Sequence, residues 1–227
     1  MLSYCYYLMK YPSLIINTGE KYLLPGPDQI RFAAQGQTLS LVLGSCISTV
    51  FIGRSSEYIL AANHIMIAKE RHAGIIAKKS ARQQIDEILT AYHEEFKIPD
   101  HDILCLHLVG AGKKVNDATF RVHDENIAET RAVLTEKNIV PFFDDTRSYY
   151  FATYSLSGTD ISIFIEDKLG GSHLSYIIDL KKLFSLEKQE LHDLPASALK
   201  PCNRGFEKFV ELGAIVFITG ERNRPNV

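Results

Sequence analysis

LSLVLGSCISTVFIG, Leu39 to Gly53, carries two strand patterns back to back with a turn between them. From Thr38 to Leu43 apolar and polar side chains alternate, the period of a half-buried strand. Ile47 to Ile52 is β-branched and aromatic enough for a second strand. Gly44 and Ser45 supply the turn, and Cys46 follows it directly. A cysteine in an apolar run packs well as a small hydrophobe. A cysteine exposed by a tight turn, with backbone N–H groups beside it, can instead be a nucleophile once a base takes its proton. The sequence around it has to decide between the two.

Working outward, "GEKYLL" at Gly19–Leu24 reads as a short strand that stops at the turn cluster "PGPD", and "IRFAA" follows. "YILAANHIMI", Tyr58–Ile67, is a third apolar strand whose polar exceptions are Asn63 and His64. "AKERHAGIIAKKS" is charged and reads as a loop. Ile85, Ile88, Leu89, Tyr92 and Phe96 then fall on one stripe of a 3.6-residue period, with Ser80 as N-cap and Pro99 past the end. "DILCLHLVGAG" is a buried strand ending in a glycine turn. His123–Asn138 is a second helix, with Asp124 as its cap and Asn138 as its stop. "IVPFFDD" is a short strand. "SYYFATYSL" and "DISIFIED" form a hairpin through Gly158. "KLGGS", Lys168–Ser172, reads as a linker, and a helix-like stretch and a short helix and strand lie beyond it. Hairpins with two main helices predict an α+β fold with a mostly antiparallel sheet covered by helices on one face. The expected division is an N-terminal extension over 1–17, a core domain over 18–172 and a C-terminal extension over 173–227 packed on that core. An added edge cover is its simplest role.

Composition narrows the function classes. The chain has 227 residues, 46% hydrophobic and 23% charged, enough for a sizeable core. A net charge of −2 and a pI near 6.4 give no footprint for nucleic acid or an anionic membrane. Cys5, Cys46, Cys105 and Cys202 show no metal-ligand spacing and read as free thiols of a reducing, cytoplasmic compartment. The apolar start, "MLSYCYYLMKYPSLIINTGE", is broken by Lys10, Tyr11 and Pro12, and reads neither as a signal peptide nor as a membrane span.

If Cys46 is a nucleophile, its base is a histidine brought close by folding. His64 lies on the strand following the Cys46 strand across a short turn, and antiparallel neighbours place such residues side by side. A third group must hold the imidazole. Ser40 has a suitable hydroxyl, with Thr38 and Asn63 as competitors. N–H groups around Gly44 and Ser45 would bind an oxyanion. Cys105 has no preceding turn and reads as core, and His101, His107 and His123 have no partner pattern.

"GEKYLL", "TLSLVLGSC", "ANHIMI", "LVGAG" and "NIAETRAVLTEKNI", in this order, resemble the bacterial chemoreceptor glutamine deamidases, the CheD family. The resemblance spans about Thr18–Asp167. It implies an α/β/β three-layer sandwich and a Cys-His-Thr triad, with Cys46 as nucleophile, His64 as base and Ser40 at the threonine position. It implies deamidation of glutamine side chains on a chemoreceptor substrate without metal or cofactor, and a CheC-type phosphatase as binding partner. The chain departs from the family pattern at Ser40, at Asn63, in the Gly-Ala-Gly turn followed by Lys113 and Lys114, and at Ala128 and Thr130. Other Cys-His acyl transfer, such as transglutamination or peptide hydrolysis, uses the same pair. A purely regulatory binding role needs neither residue.

Overall fold

The computed structural model describes residues 14–16, 22–72, 75–112, 122–146, 150–167, 172–185 and 215–218. The strands are β1 Leu14–Ile16, β2 Tyr22–Leu23, β3 Ile30–Ala33, β4 Thr38–Leu43, β5 Ile47–Arg54, β6 Tyr58–Asn63, β7 Arg71–His72, β8 Ile75–Ile76, β9 Ile103–Gly110, β10 Phe143–Thr146, β11 Tyr150–Ser157, β12 Asp160–Asp167, β13 Ser172–Asp179 and β14 Ile215–Ile218. The helices are α1 Ala81–Glu94, α2 Val122–Glu136 and α3 Leu180–Ser185.

Two mixed sheets stack. The first has the order β1-β3-β6-β5-β9-β10, the second β14-β13-β12-β11-β4-β2. Most pairings are antiparallel; β1–β3, β9–β10 and β2–β4 are parallel. Between the sheets lies one apolar layer, with Leu39, Leu41 and Leu43 of β4 against Val50, Ile52, Leu60 and Leu106. The opposite face of the first sheet packs on the helices, with Phe51, Ala61 and Leu108 against Ile85, Ile88, Tyr92, Ile127 and Leu134. The molecule is therefore a three-layer α/β/β sandwich, of the α+β class that the element pattern predicts and with the layers that the family resemblance implies.

The local reasons follow the sequence. β5 is buried on both faces because it is a central strand with a layer on either side, so its apolar run shows no alternation. β4 has core on one face only and alternates. Ser80 caps α1 through a reciprocal box: its hydroxyl accepts from Gln83 N–H, and the Gln83 side chain accepts from Ser80 N–H. Gly158 turns the β11–β12 hairpin at φ 62°. Asn138 ends the turn after α2 at φ 54°.

Several expectations are corrected. Helix α2 starts at Val122, so Asp124 sits inside its first turn, where an acid favours the helix dipole, rather than at the cap. The "IVPFFDD" strand begins only at Phe143, beyond Pro141, which lacks an N–H for the ladder. The charged loop holds a small β7–β8 hairpin. β13 starts at Ser172 and pairs with β12 along its whole length, and β14 pairs with β13. The strands placed in a C-terminal extension thus complete the second sheet. Residues 168–171 of the expected linker, Gly19 and Glu20, Lys113 and Lys114, Cys5 and Cys202 lie outside the described residues.

Candidate active site

The chain crosses between sheets twice at one rim, from β2 to β3 through residues 24–29 and from β4 to β5 through Gly44–Cys46. The end of β6 reaches the same rim. Ile47 and Ile65 form an antiparallel bridge with both backbone bonds, at 3.0 and 2.8 Å. Ile47 and Ile65 point to the helix layer. Their neighbours Cys46 and His64 therefore share the opposite face, at the open end of the inter-sheet core. Diagonal partners on a sheet face stand roughly 7–8 Å apart, within reach of ring side chains. Thiol and imidazole are not joined by a hydrogen bond in this resting arrangement; such bonds often tighten only with substrate bound.

His64 is 8% exposed, and its Nδ1 lies 3.1 Å from the Pro25 carbonyl oxygen. A carbonyl only accepts, so Nδ1 carries the proton and Nε2 is the basic nitrogen. The ring is thus oriented by a backbone group. Ser40 does not do it. Leu39, Leu41 and Leu43 fill the core, so alternation puts the Ser40 side chain on the outer face of the second sheet, away from the core face that holds His64. Thr38 lies on that outer face too, bonded to Ser155 Oγ at 2.8 Å. Asn63 is fully buried on the helix side of β6, where its Oδ1 accepts from Thr49 N–H at 2.7 Å. None of the three expected orienting residues holds the imidazole.

The Cys46 turn is fixed by its carbonyls. Gly44 O accepts from Gly112 N–H at 2.7 Å and Cys46 O from Ala111 N–H at 2.6 Å. Ser45 O accepts from Asn126 Nδ2 at 3.1 Å. In a planar trans peptide the N–H points opposite to the C=O. With the Gly44 and Ser45 carbonyls drawn toward β9 and α2, the N–H groups of Ser45 and Cys46 are turned the other way. Two N–H groups on one side of the turn are what an oxyanion formed by attack of the Cys46 sulfur would require.

Burial pushes the Cys46 thiol up from 9.0 to about 11, the Asp28 carboxylate adds to this, and the N–H at the sulfur offsets part of it. The resting group is a thiol, and attack needs a base. Burial also holds the Asp28 carboxyl above its ordinary value, against the Met66 N–H, the His64 ring, Lys78 and Gln84.

Sequence reasoning missed Pro25, Asp28, Ser48 and the bonding role of Asn126. Ser48 falls opposite His64 in register, fully buried, its hydroxyl without a hydrogen-bond partner. Asn126 opens the "NIAETR" segment, and its position in a family-like motif was the one signal available. Cys105 is buried as expected, its thiol pushed up by burial. It lines a cavity of about 390 Å³ with Phe51, Ile103, Lys137 and Phe142 at the other end of β5 and β9. His107, which shows no partner pattern in sequence, has two: Tyr154 Oη at Nδ1, 2.7 Å, and Asp145 Oδ2 at Nε2, 3.0 Å. Among the described residues no cluster of side chains could hold a metal ion, and no helix is long and apolar enough to cross a membrane. No protein-family model and no curated protein matches the chain.

Proposed function

We propose that the chain is a protein-glutamine deamidase acting on cytoplasmic chemoreceptor helices, with Cys46 as nucleophile and His64 as general base and acid. The observation that carries this reading is the tethered turn: three consecutive carbonyls are held by Gly112, Asn126 and Ala111, which turns the Ser45 and Cys46 N–H groups the other way.

In the first half-reaction His64 Nε2 takes the thiol proton and the sulfur adds to the side-chain carboxamide carbon. The oxyanion meets the Ser45 and Cys46 N–H groups. His64 then protonates the nitrogen, the C–N bond breaks and ammonia leaves a thioester. In the second half-reaction water gives a proton to His64 and attacks the thioester carbon. The C–S bond breaks, His64 returns the proton to sulfur, and glutamate remains. Each event exchanges a neutral amide for a carboxylate on the substrate, which alters helix packing in a receptor.

Cys46→Ala is expected to abolish ammonia release from a glutamine-bearing receptor fragment, with a one-dalton mass gain on the intact fragment seen only with the unsubstituted protein. Undiminished release by the variant would sink the mechanism. Cleavage of the fragment would mark a peptidase, and cross-linked products a transglutaminase.

A second reading has its own observation. The thiol is held near 11 and makes no hydrogen bond to His64. A protein retaining only a regulatory contact, with a receptor or a CheC-type phosphatase, would have these properties. Binding that survives Cys46→Ala, with no turnover by the unsubstituted protein, would select it.

A further inference from the structure

We infer that Asp28 is a positioning residue of the Cys46–His64 pair: its turn presents the Pro25 carbonyl to the imidazole, and its buried carboxylate sets the charge that both side chains experience. The catalytic part of this rests on the function proposed above.

Asp28 belongs to "PGPD", where the sequence shows only a turn. In the structure it is 5% exposed and adopts φ 57°, a left-handed conformation that aspartate tolerates better than most residues. Its N–H donates to the His64 carbonyl at 2.7 Å, and the His64 N–H returns a bond to Gln29 O at 3.0 Å. The turn is thereby locked to the residue whose ring it orients, since Pro25 O meets Nδ1 three residues earlier.

The carboxylate itself is poorly compensated. Oδ1 accepts from Met66 N–H at 3.4 Å and from Gln84 Nε2 at 3.3 Å, both long. A buried anion with weak hydrogen bonds is costly unless a cation stands near. The charged and titratable groups on which its charge acts are His64, Lys78 and the Cys46 thiol. Met66 falls opposite Cys46 in the register of the Ile47–Ile65 bridge, so the carboxylate is anchored to the same stretch of strand that faces the nucleophile. A negative charge there disfavours the thiolate and favours the proton on imidazole. That proton is the one ammonia must take with it on leaving.

Asp28→Asn keeps the shape and the acceptor oxygen and removes only the charge. Asp28→Gly removes the whole side chain and suits φ 57°, so it folds even if an amide is not tolerated. The first measurement is the pH dependence of Cys46 alkylation by iodoacetamide, read by peptide mass spectrometry. Both variants are expected to shift its midpoint downward by about one pH unit. The second is ammonia release, where kcat is expected to fall about tenfold or more with KM unchanged. An alkylation midpoint that stays in place in both folded variants overturns the inference. If the unsubstituted protein releases no ammonia while the midpoint still shifts, the charge role of Asp28 stands and the deamidase reading falls.

Discussion

Replacing Asn126 by alanine would strip one side chain from three backbone partners at once. Its Nδ2 donates to Ser45 O and to Met66 O, each at 3.1 Å, and its Oδ1 accepts from Ala68 N–H at 2.8 Å. A buried group left without its partner costs about 1–3 kcal/mol. Asn126→Ala is therefore expected to lower stability by about 3 kcal/mol or more in urea unfolding, and to slow turnover by more than its loss of folded protein explains. Asn126→Gln would not rescue it, because the longer side chain displaces all three bonds. Cys46 stood out in the sequence because it follows the Gly44–Ser45 turn, and His64 because it is a polar exception in an apolar strand. Asn126, Asp28 and Pro25 were not. Their roles arise from bonds between residues 81, 38 and 39 positions apart, and no local pattern records such a meeting. Ser40 was misplaced for a related reason: a motif position fixes the residue type, while strand alternation fixes which face it occupies.

At the scale of the element, the end of β9 and the Cys46 turn are one construction. Gly110 has φ +105°, and a Cβ built there would stand 2.6 Å from the Cys46 carbonyl oxygen and 2.9 Å from Leu43 Cδ1. The backbone approach and the left-handed conformation both require glycine. Ala111, at φ 53°, continues the turn and donates to that same carbonyl. Gly110→Ala is expected to destabilise the fold by about 2 kcal/mol or more and to lower turnover at temperatures where the variant is still folded; circular dichroism melts and ammonia release check the two separately. Elements whose reasons are local, such as α1 with its cap, the β11–β12 hairpin and alternating β4, were readable in sequence. The register break between Val50 and Phe51 against β9 was not. It makes Leu106 and His107 share a face, so His107 enters the inter-sheet core, where no alternation rule would put it.

At the scale of the whole molecule, the two sheets meet through an apolar layer and a buried polar link, Tyr154 Oη on the second sheet to His107 Nδ1 on the first, with Asp145 on the other ring nitrogen. Tyr154 and His107 are fully buried, so losing the hydroxyl strands a ring nitrogen in the core. Tyr154→Phe is expected to cost about 2 kcal/mol in denaturant unfolding while leaving the Cys46 alkylation profile unchanged, since the link lies away from the rim. The α+β class and the helix-covered sheet face were legible from periodicity, while the second sheet and the three-layer stacking came only from the family resemblance. A strand covering the sheet edge, as β14 does, was expected, but β13 was not read, because a strand after a glycine-rich stretch looks like the start of something separate. The tethered turn has one more consequence. The Ala111 and Gly112 amide protons are buried in bonds to Cys46 O and Gly44 O, so they exchange with deuterium only when the Cys46 turn comes away from its support. Those two protons are built-in reporters of how often, and on what timescale, the Gly44–Cys46 turn opens, readable in solution with nothing bound.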